Sequence, residues 1–378
     1  MIGREEAEAL DAADPLASWR RRFVTPEGLV YLDGNSLGMA PIAVLERLAT
    51  VAGGEWAEGL IRSWDHWAEL PRRVGDRLAP IIGAAPGSVV VHDSTTVNLY
   101  QLVHAALARA GAGALACDER DFPTDRYVVA GIARMTGREL RTSLDDLDGV
   151  AAVVRSAVDY RTAERVDLAA ETARAAAAGA TTVWDLSHAA GAVEVDVDAA
   201  GVELAVGCTY KFLHGGPGAP GWSYVRPGVP IEQPIWGWWG HTAPFEMGPA
   251  YEPRADARAL LLGTPGVLGL AAAEVGIGIV AEAGMAAIAA KSRALTGFAL
   301  RLCDELGLES PTPRDDDRRG AHVSVRVRDP ARVHAELTRR GVITDVRPPD
   351  LVRLGCAALT TRFVDVWDGV HALGMIGS

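Results

Sequence analysis

Lysine is almost missing from this chain: Lys211 and Lys291 are the only two among 378 residues, so nearly all of the 37 basic side chains are arginines. The formal charge is −12, and no stretch clusters Lys and Arg as phosphate binding requires, so a nucleic-acid partner is not expected. Cysteine is scarce as well. Cys117, Cys208, Cys303 and Cys356 are far apart and form no CxxC or Cys/His cluster, which excludes a zinc site and a disulfide framework and leaves ordinary core thiols. No metal site is expected. Apolar runs stay short of the ~20 residues that cross a bilayer. The first residues, MIGREEAEALDAADPLASWRRRF, mix acids and bases without an apolar signal core, so the expectation is a cytoplasmic protein with no membrane partner.

What is present is the composition of a globular enzyme-sized chain, 49% hydrophobic and 23% charged. Its length exceeds the ~250–300 residues at which single cores stop growing, which predicts a large domain and a smaller one. Short apolar runs alternate with helix-length segments: SVVVH (88–92), ALAC (114–117), AAVV (151–154), TTVWD (181–185), LAVGC (204–208) and GWSYV (221–225). That alternation is the pattern of β-α units on a parallel sheet, whose ligands sit beyond the carboxyl ends of the strands. From about 264 to 306 the chain reads as long Ala, Leu and Gly-rich helix. Then HVSVRV, PARVHAELTRRG, VRLGCA and FVDVWDGVHALGMIG read strand, helix, strand, helix, a compact α+β lobe. The Pro-rich, charged SPTPRDDDRRG (310–320) is the expected loop near the boundary.

Three segments supply parts of a site for a phosphate-bearing aromatic cofactor. HDSTTVNLYQLVHAAL follows an apolar strand, offers Asp93 or Ser94 as N-cap and puts Thr95 and Thr96 at a helix start, where free N–H groups and the helix dipole favour a phosphate. Taken alone, these are more simply capping residues. VWDLSHAAGA places Asp185 at a strand end, where a carboxylate can keep a heteroaromatic nitrogen protonated. By itself that Asp also reads as a helix cap. Lys211 ends another apolar strand, and loss of hydration there favours the neutral amine, a nucleophile toward an aldehyde. Gly215, Gly216 and Gly218 then let the backbone pass close to a flat ligand. A lone lysine is usually a surface residue. The phosphate, carboxylate and amine elements in this order on successive strands argue otherwise, and the cofactor they fit is pyridoxal 5′-phosphate.

YLDGNSLG (31–38), DSTTVNL (93–99), DFPTDRY (121–127), WDLSHAAGAVEVD (184–196), GCTYKFLHGGPG (207–218) and GWWGH (237–241) resemble, in order and over almost the whole chain, the corresponding stretches of kynureninases. The resemblance implies fold type I of the pyridoxal-phosphate enzymes, the aspartate-aminotransferase type: α/β, with a mostly parallel seven-stranded sheet sandwiched by helices and a smaller α+β domain. The expected division is a large domain over 50–285 and a small one over 286–378, with the N-terminal segment 1–49 joining the small domain. It implies hydrolysis of L-kynurenine to anthranilate and L-alanine by a homodimer whose active site lies at the subunit interface. Carried over, Lys211 would join the cofactor's aldehyde and Asp185 would pair with its ring nitrogen. Phe122 would stack on the ring, with Asp125 a second carboxylate nearby. Thr95, Thr96, Tyr210 and Trp238 would surround the phosphate, with Thr264 reaching over from the partner subunit. His188 matches a position beside the cofactor, and Ser156 is a weaker candidate. Tyr210 is also the candidate proton relay. Arg353 would bind the substrate carboxylate, with a strand-edge surface charge as its plain alternative. Trp64, Trp238 and Trp239 would wall the aromatic slot, and Trp64 with Gly263 is similar to the bacterial pattern that favours kynurenine over its 3-hydroxy form.

The chain departs from that pattern at Ala358, Leu359 and Thr360, where Pro-Leu-Tyr is usual, and at Trp239, where Phe is. It also has Trp236 in place of a small residue and Ala163 in place of a glycine. None of these touches the cofactor parts, so they bear on the ring-substituent preference. Two rival readings are another enzyme of this fold, such as a cysteine desulfurase or selenocysteine lyase, and a non-catalytic cofactor-binding module. The first needs a cysteine on a mobile loop, whereas Cys356 lies in an apolar strand-like run. The second should lack a complete Lys, Asp and Arg set.

Overall fold

A computed structural model describes residues 2–377. Its strands are β1 (Val30–Tyr31), β2 (Val89–His92), β3 (Ala114–Cys117), β4 (Leu140–Arg141), β5 (Val150–Ser156), β6 (Thr181–Asp185), β7 (Leu204–Cys208), β8 (Gly221–Val225), β9 (His322–Arg326), β10 (Val342–Ile343), β11 (Asp345–Arg347) and β12 (Leu351–Gly355). Seven of them form one sheet in the order β2-β8-β7-β6-β5-β3-β4. The neighbours from β7 to β4 run parallel, while β8 is antiparallel to both β7 and β2. Strand direction was not readable from GWSYV, but its cause is plain in the structure: residues 209–220 contain no crossover helix, and a parallel return needs one. The six apolar runs all became strands. β4 went unforeseen because it is a short, half-exposed edge strand with no apolar run to announce it.

The helix Thr95–Ala110 packs Leu99, Leu102, Val103 and Ala106 against the sheet, each fully buried. Burial of this kind is worth about 1.5–3 kcal/mol for each Leu or Val. The stretch from 264 to 306 is two helices, Val267–Ala283 and Met285–Glu305, bent by 84° at Gly284, whose φ of +83° a side chain would oppose. Among the described residues, no single helix is long and apolar enough to cross a membrane.

A second, antiparallel sheet has the order β11-β12-β9, and β1 pairs in parallel with β10. The N-terminal segment is tied to the C-terminal one by polar contacts. Asp11 accepts the N–H groups of Phe363 and Val364, capping the helix Phe363–Gly377 from outside it. Lys291 pairs with Asp14 at 2.6 Å, and both side chains are buried. One of the two lysines is therefore a structural cation. Ala163, which departs from the glycine expected there, is buried with a left-handed φ of +66°, a conformation that favours glycine.

Candidate active site

The carboxyl ends of β5, β6 and β7 deliver Ser156, Asp185 and, just beyond Cys208, Tyr210 and Lys211 to one place. The start of the helix Thr95–Ala110 and the segment before Pro123–Thr136 close it from the other side. Thr95, Thr96, Phe122, Asp125, Ser156, Asp185, His188, Tyr210 and Lys211 line this single cleft, joined by Thr124, Val158, Tyr160 and Ser187. Ser94 is the N-cap, accepting from the Val97 N–H, so Thr95 and Thr96 are the first two helical residues, with their N–H groups free of intrahelical partners.

Lys211 Nζ lies 3.0 Å from His188 Nε2. Among the described residues, no carboxylate stands within ion-pairing distance of it, in contrast to Lys291. Its ammonium position is 5.9 Å from the Phe122 ring centre. The backbone carrying it is braced by Gly38 of the YLDGNSLG stretch, whose N–H donates to the Tyr210 carbonyl at 2.8 Å. A methyl at position 38 would run into the Lys211 carbonyl oxygen and the His214 ring, which is why the stretch ends in glycine.

Asp185 Oδ1 accepts from the Ser187 N–H at 2.8 Å and from the Ser187 hydroxyl at 2.6 Å, bonds that fix the carboxylate's orientation. Asp125 is 2% exposed, and its Oδ2 has no hydrogen-bond partner. Burial first, and then the charges of Asp185 and Asp121, hold the Asp125 carboxyl well above the ordinary range. Of the two carboxyls, Asp125 is the one its surroundings push toward the neutral form, as happens to one member of a close acidic pair. Behind them Asp121, which accepts the Ser156 N–H at 2.9 Å, is pushed up to about 6 chiefly by burial. The Tyr210 hydroxyl is held above its ordinary value by burial and by Cys208 and Asp185, so it stays a phenol and a donor.

These groups fit pyridoxal 5′-phosphate. An amine without a carboxylate partner, an oriented carboxylate, an aromatic face and a helix start with two threonines converge on one cleft. The Asp125 Oδ2, without a hydrogen-bond partner among the described residues, is a polar atom such a group would face or order.

Arg353 is not the strand-edge surface charge of the plainer alternative. It lies on β12, the middle strand of its sheet, and is 1% exposed. Asp345 grips the guanidinium from the side, taking Nε at 2.7 Å and also Nη2. Nη1 donates to the carbonyl of Tyr160, a cleft residue, and Nη2 reaches Ser36 Oγ at 3.3 Å. Asn35, with its amide oxygen turned toward the guanidinium, is 3.0 Å from Nη2. Arg353 therefore sits directly behind the cleft wall.

Trp64, Trp238, Trp239 and Gly263 gather elsewhere. The Trp64 ring lies 6.2 Å from Trp238 and 5.3 Å from Trp239, and Gly263 packs beside the Trp238 indole nitrogen. Neither Trp238 nor Thr264 lines the lysine cleft of its own chain, so the phosphate contacts expected of them are not made within one copy. The sequence reading missed Asp345, which only the pairing of β11 with β12 brings to Arg353, and His322. His322 lies fully buried on β9 with its ring 5.6 Å from that of His188, and no motif signals that approach.

The chain is 43% identical over 397 residues to the kynureninase of Burkholderia pseudomallei, a match that covers 99% of this chain and 95% of that one. The chain belongs to the kynureninase family. The kynureninase of Pseudomonas fluorescens is 40% identical, with 100% and 96% covered. A family model described as the kynureninase C-terminal domain matches residues 288–373, the part holding Arg353 and His322. Solved structures of similar shape include a cysteine desulfurase from Thermococcus onnurineus NA1, with a TM-score of 0.81, 18% identity, and 95% of this chain and 97% of that one covered. A C-DES variant with glycine covalently linked to its pyridoxal phosphate cofactor has a TM-score of 0.81, 17% identity, and 94% and 98% covered. Those two likenesses, both under 20% identity, show the fold alone. The desulfurase reading itself fails at Cys356, which is fully buried and whose thiol burial pushes up to about 12.

Proposed function

We propose that this chain hydrolyses the bond between the β- and γ-carbons of L-kynurenine, or of a ring-substituted kynurenine, giving anthranilate and L-alanine with pyridoxal 5′-phosphate as cofactor. The observation that carries the reading is the convergence of Lys211, Asp185, Asp125 and the Thr95–Thr96 helix start in one cleft of a chain 43% identical to a kynureninase. When bound, the cofactor supplies an electron sink that makes the substrate's α-proton acidic and weakens the adjoining bonds.

The rest is the work of this chain's own residues. Lys211 Nζ, whose hydrogen-bond partner among the described residues is the His188 imidazole, is the group that takes and returns the α-proton. Asp185, oriented by Ser187, would pair with the ring nitrogen, and Asp125, which burial pushes toward the neutral form, would stand beside it without adding a full second charge. Tyr210, a phenol beside Lys211, donates either to the phosphate or to the oxygen of the carbonyl being hydrated. Arg353 is pre-aligned side-on by Asp345. Its contacts to Tyr160 and Ser36 are with neutral oxygens, and these are the contacts a substrate carboxylate displaces.

The proposal includes a homodimer with the active site at the subunit interface. Trp238 and Phe245 are exposed yet form a ring cluster with Trp64 and Trp239, and Trp56, Ile61, Trp236 and Met247 are exposed as well. So much exposed aromatic and aliphatic surface is a mark of association. Delivery of Trp238 and Thr264 into the partner's cleft accounts for their position outside their own. The test is incubation of the cofactor-loaded protein with L-kynurenine and with 3-hydroxykynurenine, following anthranilate fluorescence. Turnover of kynurenine, preferred over the 3-hydroxy form, is expected. A yellow, cofactor-loaded protein that turns over neither refutes the substrate, and alanine or sulfide release from cysteine in its place points to the desulfurase class.

A further inference from the structure

His188 and His322 face each other across the junction of the two sheets, 134 positions apart in the chain, with ring centres 5.6 Å apart and planes inclined by 60°. Both are buried, at 7% and 0% exposure. His188 Nε2 is committed to Lys211, but His188 Nδ1 and both nitrogens of His322 have no hydrogen-bond partner among the described residues. Three orphaned nitrogens at one spot are unusual, because nearly all buried polar atoms are paired and each unpaired one is costly. The protonation pattern is constrained by the neighbours. The titratable groups facing the pair are Lys211, Arg347 and Arg353, all of them basic side chains, and none brings a carboxylate acceptor to it. When the Lys211 ammonium donates to His188 Nε2, the remaining proton of a neutral His188 must sit on Nδ1, and that N–H needs an acceptor.

We infer that His322 is a positioning residue for the lysine. Its unprotonated nitrogen accepts the His188 Nδ1–H, directly or through one water, so that the His188 Nε2 lone pair stays aimed at Lys211 Nζ. Burial, reinforced by the three cations, holds both imidazoles well below the ordinary histidine value, so each remains neutral and able to play this part. His322 opens β9, where it pairs with Gly355 of β12, the strand of Arg353. The strand that carries the carboxylate-binding arginine is thus linked, through two imidazoles, to the amine that handles the proton.

The inference rests on Lys211 as the cofactor-linking lysine, and the experiment separates the two ideas. The pH at which the visible band of the cofactor-loaded enzyme changes is measured for the parent, His322→Leu and His322→Gln, with kcat and KM for kynurenine alongside. The leucine variant should move the midpoint by about 1 unit and lower kcat about 10-fold with KM little changed, the scale of one buried hydrogen bond. The glutamine variant, which keeps an acceptor, should restore both. A parent with no visible band overturns the lysine reading and this one together. A parent band with an unmoved midpoint in His322→Leu overturns this one alone. Nitrogen-15 imidazole spectra of the unsubstituted protein without cofactor give a check that needs no variant. They should show His188 as the neutral Nδ1–H tautomer, and an Nε2–H form contradicts the inference.

Discussion

Replacing Lys291 by methionine removes the ammonium from a pair whose side chains are only 7% and 4% exposed, leaving Asp14 charged inside the protein. Breaking a buried pair from one side costs about 3–5 kcal/mol, because the remaining charge has lost both its partner and its water. The low end applies here, about 3 kcal/mol, because Asp14 Oδ1 retains the Leu16 N–H at 2.8 Å. For a chain of this length that is a fall of about 4 °C in Tm. Burial outweighs Asp14 in lowering the Lys291 value, so the pair is not a strong net stabiliser, and removing both charges should be far milder than removing one. Lys291→Met/Asp14→Asn, in which the amide oxygen still accepts from Leu16, should therefore recover most of the loss. The assay is thermal unfolding of the parent, both single variants and the double, read as a double-mutant cycle. Kynurenine turnover per folded molecule should be unchanged throughout. A single variant melting within about 1 °C of the parent, or a double no more stable than Lys291→Met, refutes the reasoning.

Asp185→Asn should cut turnover by about 100-fold or more, the scale of a charge-assisted bond, whereas Asp125→Asn should stay within about 3-fold because the amide copies a carboxyl that is already neutral. Equal losses in steady-state kinetics contradict that division. Gly38→Ala should displace the Lys211 backbone at a cost of about 1–3 kcal/mol and weaken cofactor binding, as measured by absorbance titration. A parent-like affinity shows that the segment yields freely. Asp33 is raised to about 6, first by burial and then by Asp345. A raised carboxyl contributes stability that is complete below its unfolded value near 4 and is lost as pH rises through about 6. In Asp33→Asn, the fall in Tm of the cofactor-free protein between pH 4 and about 7 should therefore flatten. An unchanged slope refutes the assignment.

Strands and helices were legible where burial writes a pattern. VVV, ALAC and LAVGC have no competing reading once helix-length segments separate them, and Leu99, Leu102, Val103 and Ala106 mark their own inward face. Edge and direction were not legible. β4 has nothing to bury, and GWSYV is equally apolar read either way. The bend at Gly284 was present as a glycine, but the helical composition on both sides hid it. The cleft residues were recoverable because each lies at a strand's end, within three residues past one, or in the cap or first turn of a helix, positions that chain order alone brings together. The surroundings of Arg353 were not recoverable in the same way. Asp345 is its cross-strand partner, Ser36 comes from 317 positions away and Tyr160 contributes only a carbonyl. His322 is harder still, since its significance lies in what its nitrogens fail to touch.

The account turns on whether Lys211 carries the cofactor. Borohydride reduction of the pyridoxal-phosphate-loaded protein followed by peptide mass spectrometry tests this directly. The adduct should appear on the peptide containing Lys211 and be absent from the one containing Lys291. An adduct on Lys291, or none on a protein that has demonstrably bound the cofactor, contradicts it.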